Sequence, residues 1–191
     1  MKMKRFLISA LVLLMTGWSF AATGGEEGSN LSAQTDTGRL EKDAKKLEKR
    51  LKEEGWREVS GQPPMLQQIY SAYKLKNEMG ADLQPKYAFG QAKAVGQFLS
   101  AAKLLATEKA KNDLVNQLAK DIKAKAKSSA IEKSKPVVTQ RMNPITTVFV
   151  FQRKLANGNT EVMVSIAYDR KTVTDIFKTV VYEQSGLKLK N

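Results

Sequence analysis

The chain of 191 residues contains neither cysteine nor histidine. Without cysteine it has no disulfide framework, no thiolate metal site and no redox dithiol. Without histidine it lacks the usual general base near neutral pH and the commonest metal ligand. Together these absences exclude serine–histidine and cysteine–histidine catalysis. We therefore expect no cofactor and no metal site, and a fold that is stabilised by packing alone.

Carboxylate pairs, as in glycosidases, and a serine–lysine pair are the enzymatic options that these absences leave open. The candidate carboxylates outside the first charged segment are Glu78, Asp82, Glu108, Asp113, Asp121, Glu132, Glu161, Asp169, Asp175 and Glu183. Surface ion pairing explains those that stand among lysines, and no glycine-rich phosphate loop accompanies them. The sequence predicts no catalytic residues and a protein that is not an enzyme, with a carboxylate-based hydrolase as an alternative.

An apolar run from Phe6 to Met15 follows a basic start, Met1 to Arg5, that carries three positive charges. This order, with small residues after the apolar run, is the pattern of a cleaved signal peptide. A membrane anchor needs about 20 apolar residues, and Thr16 to Ser19 break the run. We expect residues 1–21 to be removed and the mature chain, from Ala22, to be periplasmic or associated with the cell surface. No cysteine follows the run, so the lipid anchor of a bacterial lipoprotein is not available.

Positive charge is in excess, with a formal net charge of +13 at pH 7. Such a balance attracts polyanions without defining a site. The candidate polyanion-binding lysines are Lys103, Lys109, Lys111, Lys120, Lys123, Lys125, Lys127, Lys133 and Lys135. No arginine or aromatic residue lies among them, so recognition of nucleic acid is not expected. For an exported chain, the polyanions at hand are lipopolysaccharide, anionic lipid and acidic glycans. A solvated helical face that only keeps the chain soluble is the other interpretation.

Glycine, serine, threonine and acidic residues make up most of residues 22–38, which we interpret as a flexible N-terminal segment. Residues 39–191 are enough for a single domain with a sizeable core. Within this domain the apolar spacing predicts a charged helix at Arg39–Glu54. A short edge strand is predicted at Trp56–Val59, and a second helix at Met65–Met79.

Small and larger residues alternate in Lys86–Val95, which is the period of a strand. The small ones, Ala88, Gly90, Ala92 and Ala94, make one face of this strand nearly flat. A helical stripe follows within Gln97–Ile131, and its members are Phe98, Leu99, Ala102, Leu105, Ala106, Ala110, Leu114, Leu118 and Ile122. Because its alanines are small, we expect this helix to lie unusually close to the sheet. The polar, basic stretch Ser128–Asn143 is interpreted as a mobile connection.

Two alternating runs within Ile145–Tyr168 flank Asn157 and Gly158, the pair best suited to a type I′ hairpin turn. A two-residue loop at this pair predicts that Phe149 faces Ile166 on a bulky side that belongs to the core. The opposite side of the hairpin is mixed in polarity.

Asp169 is the predicted N-cap of a last amphipathic helix that closes at Gly186. The order of elements favours an α+β fold. It has a small, mainly antiparallel sheet of three to four strands, including the hairpin 145–168. The long alanine-rich helix and the amphipathic helices pack on one face of this sheet.

Several short segments carry a resemblance to known proteins. They are Gly55-Trp56, Pro63-Pro64, Leu66-Gln67-Gln68, Lys86 to Ala92, Ala101-Ala102-Lys103, Ala106, Ala110-Lys111 and Leu114. Residues 55–168 resemble a group of uncharacterised exported proteins of Gram-negative gut anaerobes. More remotely, they are similar to the small outer-membrane lipoprotein superfamily that includes a flagellar assembly domain. In that superfamily a strand leads into an alanine-rich helix and then a strand pair. The resemblance implies an envelope-associated role without catalytic residues, although this chain lacks the anchoring cysteine of the lipoprotein members.

These observations predict an exported, non-enzymatic structural or interaction module of the cell envelope. Its expected partner is an envelope component, either a protein or an anionic surface polymer, and no transmembrane span is expected after cleavage. The first alternative is a binder of anionic surface polymers that uses the lysine-rich helix. The second alternative is the carboxylate-based hydrolase.

Overall fold

The computed structural model describes residues 32–122 and 128–184. The predicted leader, the first part of the predicted flexible segment and three of the candidate lysines lie outside these residues. Those lysines are Lys123, Lys125 and Lys127.

Helices and strands alternate along the described chain. The elements are α1 Ser32–Glu53, β1 Arg57–Glu58, α2 Met65–Lys76, β2 Tyr87–Gly96, α3 Leu99–Ile122, α4 Ser128–Arg141, β3 Thr146–Lys154, β4 Thr160–Asp169 and α5 Arg170–Gln184. The four strands form one sheet in the order β1-β3-β4-β2, and all neighbours are antiparallel. The predicted α+β class is therefore confirmed. Helix α1 begins at Ser32, so the last seven residues of the segment predicted to be flexible are helical.

Helix α3 crosses β2 at very short range. A Cβ atom built on Gly90 would lie 2.0 Å from the carbonyl oxygen of Ala110 and 2.8 Å from the Cβ of Leu114. Further along, a Cβ atom on Gly96 would lie 3.0 Å from the backbone nitrogen of Ala102. The predicted close approach is confirmed, because only a backbone without side chains leaves room for the helix there.

Both faces of the sheet are buried, which corrects the prediction that the helices pack on one face. On one face, the small residues of β2 pack with α3, α4 and α5, together with Val150 of β3 and Val162 and Val164 of β4. On the other face, Trp56, Met65 and Ile69 pack with Phe149 and Phe151 beneath α1 and α2. The last two rings stack in parallel, with centroids 4.8 Å apart. Burial of both faces explains why β3 and β4 carry near-continuous apolar runs.

The hairpin loop has three residues and not two, and the predicted register is wrong by one position. The N–H of Gly158 donates to the Leu155 carbonyl (2.9 Å), and Leu155 and Asn159 form the closing pair. Gly158 has a φ of 82° and is the only residue of this turn with a positive φ. A type I′ turn requires a positive φ at Asn157 as well, so the turn is the three-residue kind with a glycine bulge.

A shift of one residue moves each side chain of one strand to the other face relative to its predicted partner. Phe151 therefore opposes Met163, and Phe149 opposes Ser165. The prediction that Phe149 and Ile166 share a face is wrong, because Phe149 packs beneath α1 and α2 whereas Ile166 packs beneath α3.

The stretch Ser128–Asn143 is helical as far as α4 extends, and the prediction of a mobile connection is wrong. Ile131, Val138 and Met142 are fully buried, at the spacing of one helical face. Pro136 lies inside the helix and removes one backbone donor. Burial of the apolar face maintains the helix despite this proline.

A single helix from Gln97 to Ile131 is also excluded. The hydroxyl of Thr139 in α4 donates to the side-chain oxygen of Asn112 in α3, at 3.2 Å. In one straight helix, residues 27 positions apart would be separated by about 40 Å. Helix α4 therefore packs alongside α3 and does not continue it.

Asp169 caps α5, as predicted. Its Oδ1 accepts hydrogen bonds from the backbone N–H of Thr172 at 2.7 Å and from the Thr172 hydroxyl at 2.6 Å. These bonds hold the pKa of Asp169 below its ordinary value, with a smaller contribution from the positive charges of Lys86 and Lys171. The ionised carboxylate thus stabilises the first turn of the helix.

The first testable prediction concerns Gly90. Gly90→Ala should destabilise the fold by about 1–3 kcal/mol or more, because its methyl group would overlap the Ala110 carbonyl and force α3 away from β2. Gly38→Ala is the matched control, since Gly38 lies in α1 with open space around it. The control should stabilise the helix by up to about 1 kcal/mol. Urea unfolding followed by circular dichroism measures both changes, and equal stabilities for the two variants would contradict the close approach.

A second prediction uses the pH dependence of the Asp169 cap. Because the folded-state pKa is depressed, the stabilisation is present above the unfolded-state pKa and is lost as the pH falls below about 4. Asp169→Ala should lower the free energy of unfolding by about 1 kcal/mol at pH 7. Asp169→Asn should keep most of the stability at pH 7 and lose the acid-dependent part. Unfolding curves from pH 2 to 7 test this, and identical pH profiles for wild type and Asn variant would contradict it.

Candidate functional site

The described candidate lysines do not form one stripe. Lys111 pairs with Glu108 (2.9 Å), and Lys135 pairs with Glu132 (2.7 Å). Both lysine side chains are mostly buried by their surroundings. Their charges are therefore partly neutralised by neighbours on the same helix.

Lys109 and Lys120 are exposed and lie about three turns apart on α3, so they share one side of the helix. Neither forms an ion pair with a described carboxylate. Lys103 lies on a different side of α3, and Lys133 is exposed on α4. The structure thus brings Lys109 and Lys120 to one side and separates the others from them. Polyanion binding by these lysines stays a prediction.

Most candidate carboxylates have a polar or basic partner. The ion pairs are Glu78 with Lys86, Glu161 with Arg153 (2.6 Å), Glu183 with Arg141 (2.9 Å) and Asp175 with Lys178 (3.7 Å), in addition to those of Glu108 and Glu132. Within residues 32–122 and 128–184, no group of three or more carboxylates could hold a metal ion. In each of these pairs the carboxylate forms an ion pair within the fold, which explains its presence without a catalytic role.

Large apolar side chains are exposed where β2 ends and α3 begins. Phe98 is 70% exposed, Leu104 64%, Leu105 49% and Val95 44%. We call Phe98, Leu104 and Leu105 the α3 apolar surface; Val95 lies beside it at the end of β2. The prediction that Phe98 and Leu105 belong to the buried stripe is wrong. Because the start of α3 lies so close to β2, mainly alanines fit beneath it; Leu104 and Leu105 face outward, and Leu99 is only partly buried.

Strand β2 forms an open edge of the sheet. The carbonyl of Lys86 accepts the N–H of Arg170 (2.9 Å), which makes this a hydrogen-bonded pair with the chain of β4. Such pairs alternate along an antiparallel ladder. The backbone N–H and C=O groups of the even-numbered residues of β2 therefore bond β4, and those of the odd-numbered residues point away from the sheet. Among the described residues, no group bonds the outward N–H of Phe89, Lys93 or Val95. We call this row of backbone groups, from Tyr87 to Val95, the β2 edge.

One side chain of α3 reaches down to this edge. The Oδ2 of Asp113 accepts the backbone N–H of Gln91 at 3.0 Å and the side-chain amide of Gln117 at 2.9 Å. This contact shows that Asp113 lies on the outer side of α3, above the β2 edge. Lys109 lies four residues before Asp113 and Lys120 seven after it, so both share the side of α3 that faces this edge. No pattern in the sequence signals this placement.

A cavity of about 330 Å³ opens at the start of the β2 edge. Its lining residues are Tyr87, Ala88, Phe89, Leu114, Gln117, Leu118, Lys120 and Arg170. Apolar side chains of α3 form much of its wall, and a lysine, an arginine and an amide supply donors. The cavity therefore suits a group that is apolar along its length and negatively charged at one point.

Positive charge continues along the other face of β2. The Nζ atom of Lys93 lies 5.1 Å from the ring centre of Trp56, and the guanidinium carbon of Arg153 lies 4.6 Å from it. Trp56 is fully buried. Lys76 lies 5.6 Å from the ring centre of Phe89, and burial lowers the pKa of this lysine. Contacts between cations and aromatic rings thus hold basic side chains beside the edge strand.

A second cavity, of about 370 Å³, lies between α1 and the start of α2. Glu41, Pro64, Leu66, Gln67 and Tyr70 line it. Only one of them is charged, and the ion pair of Glu41 with Lys45 (2.6 Å) engages that carboxylate. This cavity offers no group of converging polar atoms.

Comparisons with family models, with curated proteins and with solved structures give no match for this chain. The resemblance to exported envelope proteins therefore stays a prediction. Across the two described ranges, no helix combines the length and the apolarity that a membrane span requires.

Proposed function

We propose that this protein is an exported, non-enzymatic interaction module of the cell envelope. The α3 apolar surface is the observation that carries this proposal, because three large apolar side chains, 49–70% exposed, lie at the start of α3 beside an open sheet edge. Exposed apolar groups of this kind are typical of protein interaction sites. The hydrophobic contact that they offer favours a protein partner over a sugar polymer.

Two further observations support the proposal. The basic start and apolar run before Ala22 match a cleaved leader, which supports export. The ion-paired carboxylates support a role without catalysis, because a general acid or base has to be available to a substrate.

A cell-based experiment tests both parts of the proposal. The chain is produced with its leader in a Gram-negative host, with a photo-crosslinking amino acid in place of Ser100, an exposed residue of α3. We expect the periplasmic protein to begin at Ala22 and to crosslink to an envelope protein. Replacing Phe98, Leu104 and Leu105 by serine should reduce that product several-fold, because the apolar contact is lost.

Met79→Ser is the matched control, since Met79 is 55% exposed away from the α3 apolar surface. It should crosslink like the wild type. An intact leader on protein found in the cytoplasm would refute export. Equal crosslinking of the triple-serine variant would refute the interaction site.

Binding of anionic surface polymers is a second candidate function. One observation favours it: Lys109 and Lys120 are exposed on the same side of α3. If they bind phosphate groups, the affinity of the mature chain for vesicles of anionic lipid should fall steeply between roughly 50 and 200 mM salt. Lys109→Glu with Lys120→Glu should abolish this binding at low salt. The exposed pair Lys46→Glu with Lys49→Glu on α1 is the control of equal charge, and salt-independent retention would count against this function.

A further inference from the structure

We propose that the β2 edge binds an extended peptide segment rich in acidic side chains, which adds to the sheet as a fifth strand. This inference deepens the proposed function, on which it depends for its biological setting, by naming the class of partner and the atoms that bind it. Addition of a strand to an exposed sheet edge is a recurring mode of peptide recognition.

The backbone of β2 supplies the geometry. Its outward groups from Tyr87 to Val95 extend over nine residues, or roughly 30 Å. The N–H groups of Phe89, Lys93 and Val95 have no described partner, whereas that of Gln91 is bonded to Asp113. An incoming strand can therefore form ladder bonds on both sides of Gln91. At Gln91 the Asp113 carboxylate already accepts the N–H, in the place that a backbone carbonyl of the strand would otherwise take.

Charge around the edge selects an acidic partner. Lys109 and Lys120 overhang the edge from α3, and Lys93 lies within β2 itself. Three acidic residues lie at the edge, and each is engaged: two hydrogen bonds hold the Asp113 carboxylate, Glu161 opposite Val95 is paired with Arg153, and Asp169 opposite Tyr87 caps α5. The net charge along the edge is thus positive, and acidic side chains on the incoming strand would complement it.

The same charges disfavour a second copy of this chain as the occupant. If two β2 edges paired, Lys93, Lys109 and Lys120 of one molecule would approach the same lysines of the other. Like charges at close range destabilise a strand pair, and lysine on an edge strand is a common protection against self-association. A partner of opposite charge does not meet this barrier.

The two ends of the edge suit the ends of a bound segment. At Tyr87, the cavity lined by Gln117, Lys120 and Arg170 offers donors for a carboxylate. At Val95, the edge continues into the α3 apolar surface, which offers contacts for an apolar side chain. A segment that alternates acidic and β-branched residues would satisfy both ends.

The experiment uses the chain from Ala22 onward, labelled with nitrogen-15, and an acetylated nine-residue peptide that alternates glutamate and valine. Bound peptide should slow amide hydrogen exchange at Phe89, Lys93 and Val95 at least about tenfold, because these groups gain hydrogen bonds. Ala88 and Ala92, which already bond β4, should change little. A peptide with lysine in place of glutamate should not bind, and a peptide with proline in place of valine should lose the protection because proline cannot complete the ladder.

Variants of the protein complete the test. Lys109→Glu with Lys120→Glu should weaken binding of the acidic peptide about tenfold at low salt. Lys46→Glu with Lys49→Glu makes the same change of charge on α1 and should leave binding unchanged. Circular dichroism confirms that both variants are folded.

Any of four outcomes would overturn the inference. Binding of the acidic peptide without protection of the β2 amides would indicate attraction to a polyanion alone. Equal binding of the lysine peptide would remove the role of charge. Protection of the same amides in the protein alone, with a dimer in sedimentation, would identify a second copy as the occupant. If the acidic peptide does not bind but crosslinking in cells is intact, this inference is refuted and the proposed function stands. If the peptide binds but crosslinking in cells is absent, the proposed function is refuted and binding at the β2 edge stands.

Discussion

Where α3 crosses β2, the space that a side chain of Gly90 would fill is taken by the carbonyl oxygen of Ala110. Much of the fold depends on this contact. Because helix and strand are so close, the interface between them can contain only alanine and glycine over most of its length. The larger residues of α3 are then divided between two places. Leu114, beside the point of closest approach, and Leu118 are buried, whereas Leu104 and Leu105 face outward and form the α3 apolar surface with Phe98.

At both edges of the sheet, a side chain from a helix accepts a backbone N–H that has no neighbouring strand. On the β2 side, the Asp113 carboxylate accepts the N–H of Gln91. On the β3 side, the short strand β1 covers only Phe151 and Gln152, and the Gln68 side chain from α2 accepts the N–H of Val150 at 2.9 Å. In each case a helix side chain satisfies one backbone donor that has no strand beside it. The β3 contact is buried beneath α2, and the β2 contact is open to solvent. This difference leaves β2 as the edge that a partner can reach.

The sequence predicts features that depend on local pattern. It fails for features that are determined by contacts between residues far apart in the chain. Alternation of small residues in β2, the alanines of α3 and the Asp169 cap are local signals, and each one is confirmed. The hairpin register is different, because both faces of β3 and β4 are apolar and no polar face opposes a slip of one residue. In α4, the proline and the lysines conceal a buried face that only Ile131, Val138 and Met142 reveal. The candidate site follows from the position of β2 at a sheet edge, which no local pattern reports.

Trp56 is one of two tryptophans in the chain, and the other, Trp18, lies in the predicted leader. After processing, the indole of Trp56 would therefore be the single source of tryptophan emission. It is enclosed in the core and touched by Lys93, a residue of the edge strand, and by Arg153 of β3. The emission wavelength of an indole changes when a nearby ammonium group moves. Displacement of the Lys93 side chain would therefore shift the fluorescence maximum of Trp56. The protein thus contains its own optical reporter of events beside β2, with no added dye.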